Sequence, residues 1–285
     1  MSRILRNPVP PNIPLATITY ERLYQDQLNN AFRLYFNQLN NLSSALVGST
    51  GGAYLQFPQG AFHQDGVTTL TAGLTNTSTT PITVASTAEF LSAGGLLIGS
   101  ELIKYTGKTA TSFTGITRGA YGSTATSHAI GDYVSEAQPV PSATAALPIS
   151  FTVTDSSTTV AVDPTDLTKL TFGVSGYYNI QFSAQLLSYD NTVDNVCMWF
   201  RQNGVDIANS ASYISVPTIH GGNPGASILA LNLVLPIIEG DYIQLMLSST
   251  TGNTVCATYP PATLPTRPAS PSIILTATFV SSLYT

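Results

Sequence analysis

The clearest hydrophobic pattern in the amino-terminal part of the chain is a heptad repeat. Between residues 20 and 46 the apolar positions are separated alternately by four and three residues, and they are Leu28, Phe32, Tyr35, Leu39, Leu42 and Leu46. This spacing predicts an amphipathic helix with one apolar seam. Thr19 can cap the amino end of the helix, and Gly48 can close its carboxyl end.

The width of the apolar stripe bears on the number of helices that associate. Phe36 and Ala45 lie beside the seam and widen it, which favours a trimeric coiled-coil stem over residues 19–48. The alternative is a single amphipathic helix packed on its own domain, because the seam is short.

Alternation of apolar and polar residues replaces the heptad pattern in the carboxyl-terminal half of the chain. From Tyr178 to Leu186 every second residue is apolar, and the residues between are Asn, Gln or Ser. A period of two predicts strands with one apolar face. The pattern recurs in four later segments, at residues 196–200, 229–235, 243–247 and 273–279. Turn residues such as Asn203-Gly204 separate these runs, so residues 143–285 are predicted to form a β-sandwich.

The region between the helix and the sandwich, residues 49–142, is rich in Gly, Ser and Thr and contains short apolar runs. These runs predict the strands of a small β module. Gly99 and Ser100 lie between two of the runs and predict a tight hairpin turn with a positive φ at Gly99. Glu101 and Arg118 are predicted to form a structural ion pair of modest energetic weight across this module.

Four prolines within residues 7–14 predict an extended amino-terminal arm, residues 1–18. Proline fixes φ and lacks the amide donor, so neither a helix nor a central strand can form there. An arm of this kind becomes ordered when it lies on another surface, which makes it a candidate docking peptide. A floppy terminus is the alternative.

The composition limits the classes of protein to which the chain can belong. Hydrophobic residues make up 43% of the chain, enough for packed cores, whereas charged residues make up 9%, well below the usual ~25%. The formal net charge of −5 disfavours binding to nucleic acid or to anionic membranes. We expect a soluble protein without a secretory signal or a membrane span. A surface with so few charges suits permanent contacts between subunits.

The histidines and cysteines do not have the spacing of a metal site. His63, His128 and His220 are scattered along the chain, and His128 is expected to make a fixed hydrogen bond to a turn. Cys197 and Cys256 are far apart in sequence and are interpreted as buried, reduced thiols, with a disulfide left open.

Two further patterns contain reactive residue types without the spacing that chemistry requires. Ser175 lies between glycines, but the Gly-x-Ser-x-Gly spacing of a nucleophile elbow is missing. Asp190 and Asp194 could form a glycosidase pair or bind calcium, but a solvated loop is the favoured interpretation because no second acidic cluster accompanies them. We therefore expect no catalytic residue, no cofactor and no metal ion, and the protein is predicted not to be an enzyme.

A second apolar face on the predicted strands indicates contact with another subunit. Tyr242 and Met246 lie opposite the inward-facing Ile243 and Leu245, and Trp199 has a similar place on another strand. In a trimer such a face is where the neighbour packs, so Tyr242 and Met246 are candidate trimerisation residues together with the helix seam. An aromatic side chain lying flat on the outer sheet is the alternative.

Three motifs stand out in residues 90–134. They are Ile-Gly-Ser-Glu-Leu-Ile-Lys-Tyr-Thr-Gly from Ile98, Thr-Arg-Gly-Ala-Tyr-Gly from Thr117 and His-Ala-Ile-Gly-Asp-Tyr-Val from His128. With these motifs the region resembles a small β module that recurs in bacteriophage tail and fibre proteins. The proline-rich arm and the helix sequence from Gln27 also resemble openings of virion proteins of marine phages, especially cyanophages.

Three features of the carboxyl-terminal region occur in a fixed order. They are Gly-Tyr-Tyr-Asn-Ile at residues 176–180, Glu-Gly-Asp-Tyr-Ile at residues 239–243, and a final strand near the carboxyl terminus. In this order they resemble the trimeric jelly roll of the C1q and tumour-necrosis-factor superfamily, in a version common in phage structural proteins. The chain departs from that family in lacking a collagen-like stalk. The resemblance implies a jelly-roll head that associates as a homotrimer.

The patterns and the resemblances together predict a mainly β protein with an amino-terminal helix and a structural role in a bacteriophage virion. The expected form is a homotrimeric fibre or spike that attaches to other virion proteins through its arm. Its head would contact a host surface glycan or protein. A trimeric capsid decoration or cement protein is one alternative, and a virion-associated polysaccharide depolymerase is another. The expected location is the tail or capsid surface of the virion, after synthesis in the host cytoplasm.

Overall fold

The computed structural model describes residues 9, 11–13, 15, 18–47, 57–142, 144–263 and 265–283, with the backbone alone for residues 42–47. These residues belong to two compact units, Met1–Phe57 and Pro58–Thr285. Most of the predicted arm, Gly48, and the side chains of Leu42 and Leu46 lie outside the described residues.

The described part of the first unit contains one helix, α1, which runs from Arg22 to Val47 over 26 residues. The helix predicted from the heptad pattern is confirmed. The carbonyl of Glu21 accepts a hydrogen bond from the Gln25 amide at 3.2 Å, so the first helical turn begins at Glu21, two residues after Thr19. Within the described residues, no helix is both long enough and apolar enough to cross a membrane.

The second unit is built from strands. Its described residues form 22 of them, and these are β1 (Gln59–Gln64), β2 (Val67–Thr69), β3 (Ile82–Thr83), β4 (Gly94–Ile98), β5 (Glu101–Tyr105), β6 (Gly107–Lys108), β7 (Ser112–Thr114), β8 (Tyr133–Pro139), β9 (Leu147–Pro148), β10 (Val153–Thr158), β11 (Val160–Val162), β12 (Leu170–Phe172), β13 (Gly176–Ser188), β14 (Asp194–Gln202), β15 (Val205–Asp206), β16 (Ser212–Val216), β17 (Gly225–Ile237), β18 (Tyr242–Ser249), β19 (Thr254–Ala257), β20 (Ala262–Thr263), β21 (Thr266–Arg267) and β22 (Ile273–Ser281). The mainly β fold class with an amino-terminal helix is thereby confirmed.

Two sheets with antiparallel pairings contain most of these strands. The larger, curled sheet has the order β10-β1-β22-β13-β19-β8-β4-β5, while β17 pairs with β13 and β2 pairs with β8 beside this path. The smaller sheet has the order β11-β12-β18-β14-β15, with β16 paired to β14 and β9 paired to β18. The pairing of β13 with β17 is the longest, and it runs from Gly176 opposite Ile237 to Ser188 opposite Gly225.

The main hydrophobic core contains side chains from both sheets. On β13 the alternate residues from Tyr178 to Leu186 are buried. The smaller sheet contributes alternate residues of β14 and β18, and these are Val196, Met198, Phe200, Ile243, Leu245 and Leu247. Successive side chains of a strand point to opposite faces. The alternation in the sequence is therefore confirmed as the burial pattern of a two-sheet sandwich.

Two turns have the backbone that the sequence predicts. Gly99 has a φ of +59° between β4 and β5, where Ile98 pairs with Glu101. Asn203 and Gly204 connect β14 to β15 with φ values of +50° and +82°. Positive φ at both central residues is typical of a type I′ hairpin turn, and Asn and Gly tolerate it best.

The middle region is an insertion between strands of the sandwich. β1 pairs with β10 and β22 and so belongs to the sandwich, whereas β2 follows shortly after and pairs with β8. The insertion begins and ends at one place, because the Glu136 amide donates a hydrogen bond to the Gly66 carbonyl at 2.8 Å. It has a core of its own, which includes Leu96, Ile98, Ile103, Tyr105, Phe113 and Val134.

A third apolar cluster joins the insertion to the sandwich. It takes residues from β4, β5 and β8 on one side and from β13 and β19 on the other, and these are Leu97, Leu102, Ala137, Leu187, Val255 and Ala257. β8 also pairs with β19, which continues one sheet through both parts. The boundary predicted at residue 142 stays a prediction, although the parts on either side of it share a sheet and one compact unit.

Candidate functional site

A buried group of charged side chains surrounds Glu101, the first residue of β5. The carboxylate of Glu101 is fully buried and accepts two hydrogen bonds from the Arg118 guanidinium, each at 2.7 Å. The amides of Gly119 and Thr126 donate two more, at 3.0 and 3.1 Å. The structure therefore brings the two residues of the expected ion pair together.

The imidazole of His128 is the third side chain of this group. Its Nε2 lies 2.8 Å from Oε2 of Glu101, and the residue is almost fully buried. The sequence predicted a hydrogen bond from His128 to a turn, but the side chain contacts this carboxylate instead. The backbone of His128 pairs with that of Leu74.

Arg118 also holds two loops of the insertion in place. Its guanidinium donates hydrogen bonds to the carbonyls of Thr75, Ser78 and Thr126, at 2.7, 3.3 and 2.6 Å. Donors that already have acceptors are typical of a structural centre and not of a reactive group. The arrangement can fix the positions of these loops.

The surroundings of Glu101 favour its ionised form. Burial by itself raises the pKa of Glu101, but hydrogen bonds from Arg118, Thr126, His128 and Gly119 outweigh it and lower the pKa to about 2. The carboxylate is therefore charged at neutral pH. Because the pair is buried, removing one partner would leave an uncompensated charge in the interior. The resulting loss of stability would be larger than the modest contribution expected from the sequence.

A second buried carboxylic acid, Glu136 on β8, was not anticipated from the sequence. The Tyr105 hydroxyl lies 3.2 and 3.3 Å from its two carboxyl oxygens, and the Leu91 amide donates to it at 3.3 Å. Burial raises the pKa of Glu136 to about 8, although the contacts with Leu91 and Tyr105 and the charge of Lys108 act in the opposite direction. Glu136 is therefore mostly protonated at neutral pH. A single Glu in a short strand carries no pattern that predicts its burial.

The two aspartates considered as an acidic pair lie in different surroundings. Asp194 is the first residue of β14 and is fully buried, where it accepts hydrogen bonds from the Thr250 and Thr254 hydroxyls, at 2.7 Å each, and from the Thr251 amide at 2.9 Å. Asp190 stays in the preceding loop and is half-buried. The solvated-loop interpretation is therefore wrong for Asp194, because three threonines supply the donors that water would otherwise provide.

Metal-binding residue types do not gather in the part of the chain that the structure describes. No group of three or more His, Cys, Asp or Glu side chains there is arranged to hold an ion. Cys197 and Cys256 are both free and buried, which confirms the interpretation as unpaired thiols. Burial raises the pKa of Cys256 to about 12.

The predicted seam of α1 has described side chains at four of its six positions. Leu28, Tyr35 and Leu39 are half-buried, and Phe32 is 38% exposed. Phe36, which widens the stripe, is 62% exposed. A helix with this much exposed apolar surface is typical of one that packs against a partner.

The two predicted trimerisation residues of β18 differ from each other. Met246 is 1% exposed, because β9 of the same chain pairs with β18 at this point. Met246 therefore has no free surface for a neighbouring subunit. Tyr242 is half-buried, and the ammonium group of Lys169 lies 4.7 Å from the centre of its ring. Trp199 lies on the same sheet and donates a hydrogen bond to Asp206 at 2.8 Å.

A larger apolar surface lies on the other sheet. β17, β13 and β22 run side by side there, and their side chains that point away from the core define what we call the outer apolar face, after the aliphatic residues on β17 and β22. The aliphatic residues of this face are 43% to 62% exposed and are Ile228, Val234, Ile274 and Val280. The outward positions of the middle strand β13 are polar and uncharged, and these are Asn179, Gln181, Ser183 and Gln185. The outward positions of these three described strands carry no charged residue. A strand such as β17, apolar at most positions on both faces, is the sequence signal that could have revealed this surface.

One end of the outer apolar face adjoins a groove of about 800 Å³. Gln185 and Leu186 of β13, Ile228 of β17, and Tyr259 line it, and Arg267 of β21 stacks over the Tyr259 ring at 4.9 Å. A smaller cleft of about 250 Å³ lies between the insertion and the sandwich loops. Its lining is mostly polar and includes Ser100, Ser123, Thr124, Thr126, Tyr189 and Asn191.

The described residues thus combine buried charged groups in the insertion with an uncharged outer face on the sandwich. Neither a protein-family model nor a curated protein sequence matches the chain.

Proposed function

We propose that this protein is a structural subunit of a bacteriophage virion, a homotrimeric fibre or spike that catalyses no reaction. The observation that carries the proposal is the outer apolar face, where exposed aliphatic side chains of β17 and β22 flank the uncharged polar side chains of β13 and no outward position is charged. Charged residues are depleted from the core of interfaces between protein subunits. Burying the aliphatic residues of this face against another copy of the chain would contribute about 25 cal/mol per Å² of apolar surface.

The size of the outer apolar face suits a contact between subunits. β17 has 13 residues, so at about 3.3 Å per residue and about 4.8 Å between strands the three strands cover about 600 Å². A standard stable interface buries about 800 Å² on each partner. The face alone therefore supplies most of the area that such an interface needs.

The helix gives independent support for association into a trimer. The seam residues Phe32 and Tyr35 and the flanking Phe36 keep apolar surface exposed on α1. A heptad seam of this kind buries its residues when helices from several copies wrap around one another. The helix and the sandwich would then each contribute a contact between copies.

The connections of the sandwich support its resemblance to the jelly roll of the C1q and tumour-necrosis-factor superfamily. Along the chain, β13 lies in the larger sheet, β14 and β16 in the smaller, β17 in the larger, β18 in the smaller and β22 in the larger. Repeated crossing between two sheets is how jelly rolls are connected. The assignment to a phage rests on the motifs of residues 90–134, which resemble a module of tail and fibre proteins.

In this proposal the arm attaches to other virion proteins and the sandwich contacts the host surface. The polar cleft beside Tyr189 and Asn191, at a loop of the sandwich, supports a role in contact with a glycan or protein. Loops on a rigid sandwich can vary in sequence without changing the fold.

The solution mass of the full chain tests the proposal. Sedimentation equilibrium at micromolar concentration should give three times the 30.0 kDa of one chain. A stably folded monomer at that concentration would overturn the proposal. Antibody labelling of virions, imaged by electron microscopy, then separates a tail fibre from a capsid decoration protein. Release of reducing sugars from host envelope by the purified trimer would instead identify a depolymerase.

A further inference from the structure

Arg267 differs from the other arginines of the sandwich and its insertion in having no acceptor. Arg118 and Arg201 donate to carboxylates at 2.7 Å. The Arg267 side chain makes no hydrogen bond or ion pair with any residue that the structure describes, and its guanidinium lies 4.9 Å from the centre of the Tyr259 ring. Stacking on an aromatic ring orients the planar guanidinium while leaving its N–H donors unused.

The groove that holds Arg267 has the size and lining of a ligand site. Its volume of about 800 Å³ lies within the range of about 300–1,000 Å³ that is usual for small-ligand sites. Ile228, Pro268 and Ala269 give it apolar walls. None of its described lining residues is acidic, so an anion that enters the groove meets one cation and no opposing carboxylate.

Gln185 places a second polar group in the groove. Its Nε2 donates hydrogen bonds to the Ser270 hydroxyl and to the Pro271 carbonyl, the latter at 2.7 Å. These two bonds use both amide protons and fix the orientation of the amide. Within the described residues Oε1 of Gln185 has no donor, and it is therefore available to accept a hydrogen bond from a ligand.

We propose that this groove binds a carboxylated saccharide, that is, a sugar unit of the hexuronic acid type. The carboxylate would pair with Arg267, whose planar fork matches a carboxylate with two parallel hydrogen bonds. A ring hydroxyl would donate to Oε1 of Gln185, and the C–H surface of the ring would lie on Pro268 and Ala269. The inference rests on the proposed host-contact function and names the chemical class of the ligand.

Two other anionic ligands fit the groove less well. A phosphate monoester carries close to two negative charges and would find a single cation, with the apolar walls left uncovered. An acidic peptide would gain main-chain hydrogen bonds from a free strand edge. β13 offers none at this place, because Leu186 pairs with Ser227 on one side and with Cys256 on the other.

Calorimetric titration of the full chain tests the inference. The ligands are a trigalacturonate, a neutral galactose trisaccharide of the same length, inorganic phosphate and a Glu-rich peptide. We expect binding of the trigalacturonate alone, and Arg267→Gln should weaken it by at least about tenfold. Arg201→Gln is the matched control, since it removes the same charge from a residue outside the groove, and it should leave the affinity unchanged.

A second variant guards against loss of folding in the first. Ala269→Phe narrows the groove without changing any charge, and it should also weaken binding of trigalacturonate. The inference is overturned if the neutral trisaccharide, the phosphate or the peptide binds as well as trigalacturonate does, if trigalacturonate does not bind, or if folded Arg267→Gln keeps the wild-type affinity. A trimeric mass together with any of these results would leave the proposed function standing and remove the groove from it.

Discussion

The guanidinium of Arg118 meets the carboxylate of Glu101 in a two-point contact, with both nitrogen–oxygen distances at 2.7 Å. The side chains are 6% and 0% exposed, so water cannot replace either partner. The pair lies at the start of β5, and through Arg118 it also holds the carbonyls of Thr75 and Thr126. Because the pair is buried and makes several hydrogen bonds, removing either partner would leave an unpaired buried charge and destabilise the insertion.

Arg118→Ala should therefore lower the free energy of unfolding by about 3–5 kcal/mol, because Glu101 would be left as a buried charge without its cation. Urea unfolding at pH 7 measures this loss. The matched control is Arg201→Ala, which breaks the pair with Asp206 near the surface and should cost no more than about 1 kcal/mol. Equal losses in the two variants would contradict a special role for the buried pair.

Glu136 should make the protein less stable as the pH rises from about 4.5 to about 8. Its pKa is raised from an ordinary value of 4.5 to about 8 by burial, so in this window the folded state binds a proton that the unfolded state has released. Stability then falls with pH. Glu136→Gln should remove most of this decline in urea unfolding measured at several pH values. Glu239→Gln, at an exposed turn, should not, and a decline that persists in Glu136→Gln would count against the assignment.

Both thiols should be inert in the folded protein. Cys256 is fully buried with its pKa raised to about 12, and burial also raises the pKa of Cys197. Since the thiolate is the reactive form, a maleimide reagent at pH 7.5 should label neither residue in the native state and both in urea, as counted by mass spectrometry. Rapid labelling of the native protein would show that one of the two thiols is accessible.

Val234→Lys should dissociate the proposed trimer by placing a charge on the outer apolar face, where Val234 is 54% exposed in the single chain. A buried, unpaired ammonium group is costly at an interface. Sedimentation equilibrium should show a lower mass than that of the unmodified protein. Val205→Lys makes the same change at a residue that is 70% exposed on β15, and its mass should stay that of the trimer. The face is not the interface if the two variants sediment alike.

The sequence predicted the secondary structure correctly where apolar residues recur with a regular period. The period of two in β13 and the heptads of α1 predicted elements that the structure contains, since burial of one face imposes that period. Gly99 and Asn203 predicted turns for an equally local reason, their tolerance of positive φ.

Features that depend on distant parts of the chain could not be predicted in this way. The covering of Met246 by β9 and the burial of Asp194 under the threonines that follow β18 depend on pairings between remote segments. Glu136 and Tyr105 meet across the insertion core for the same reason. Arg267 gave no sequence signal, because its stacking on Tyr259 depends on how the β20–β21 hairpin folds back.

The hydrogen bond from the Glu136 amide to the Gly66 carbonyl holds the two ends of the insertion side by side, so the polypeptide leaves the sandwich and returns to it at the same point. A segment whose two ends adjoin can be lengthened, shortened or exchanged during evolution while the surrounding strands keep their pairing. Related chains should accordingly keep the long strands of the sandwich and differ in the segment inserted at this point. The sandwich would then be the conserved part of the fold and the insertion the variable part.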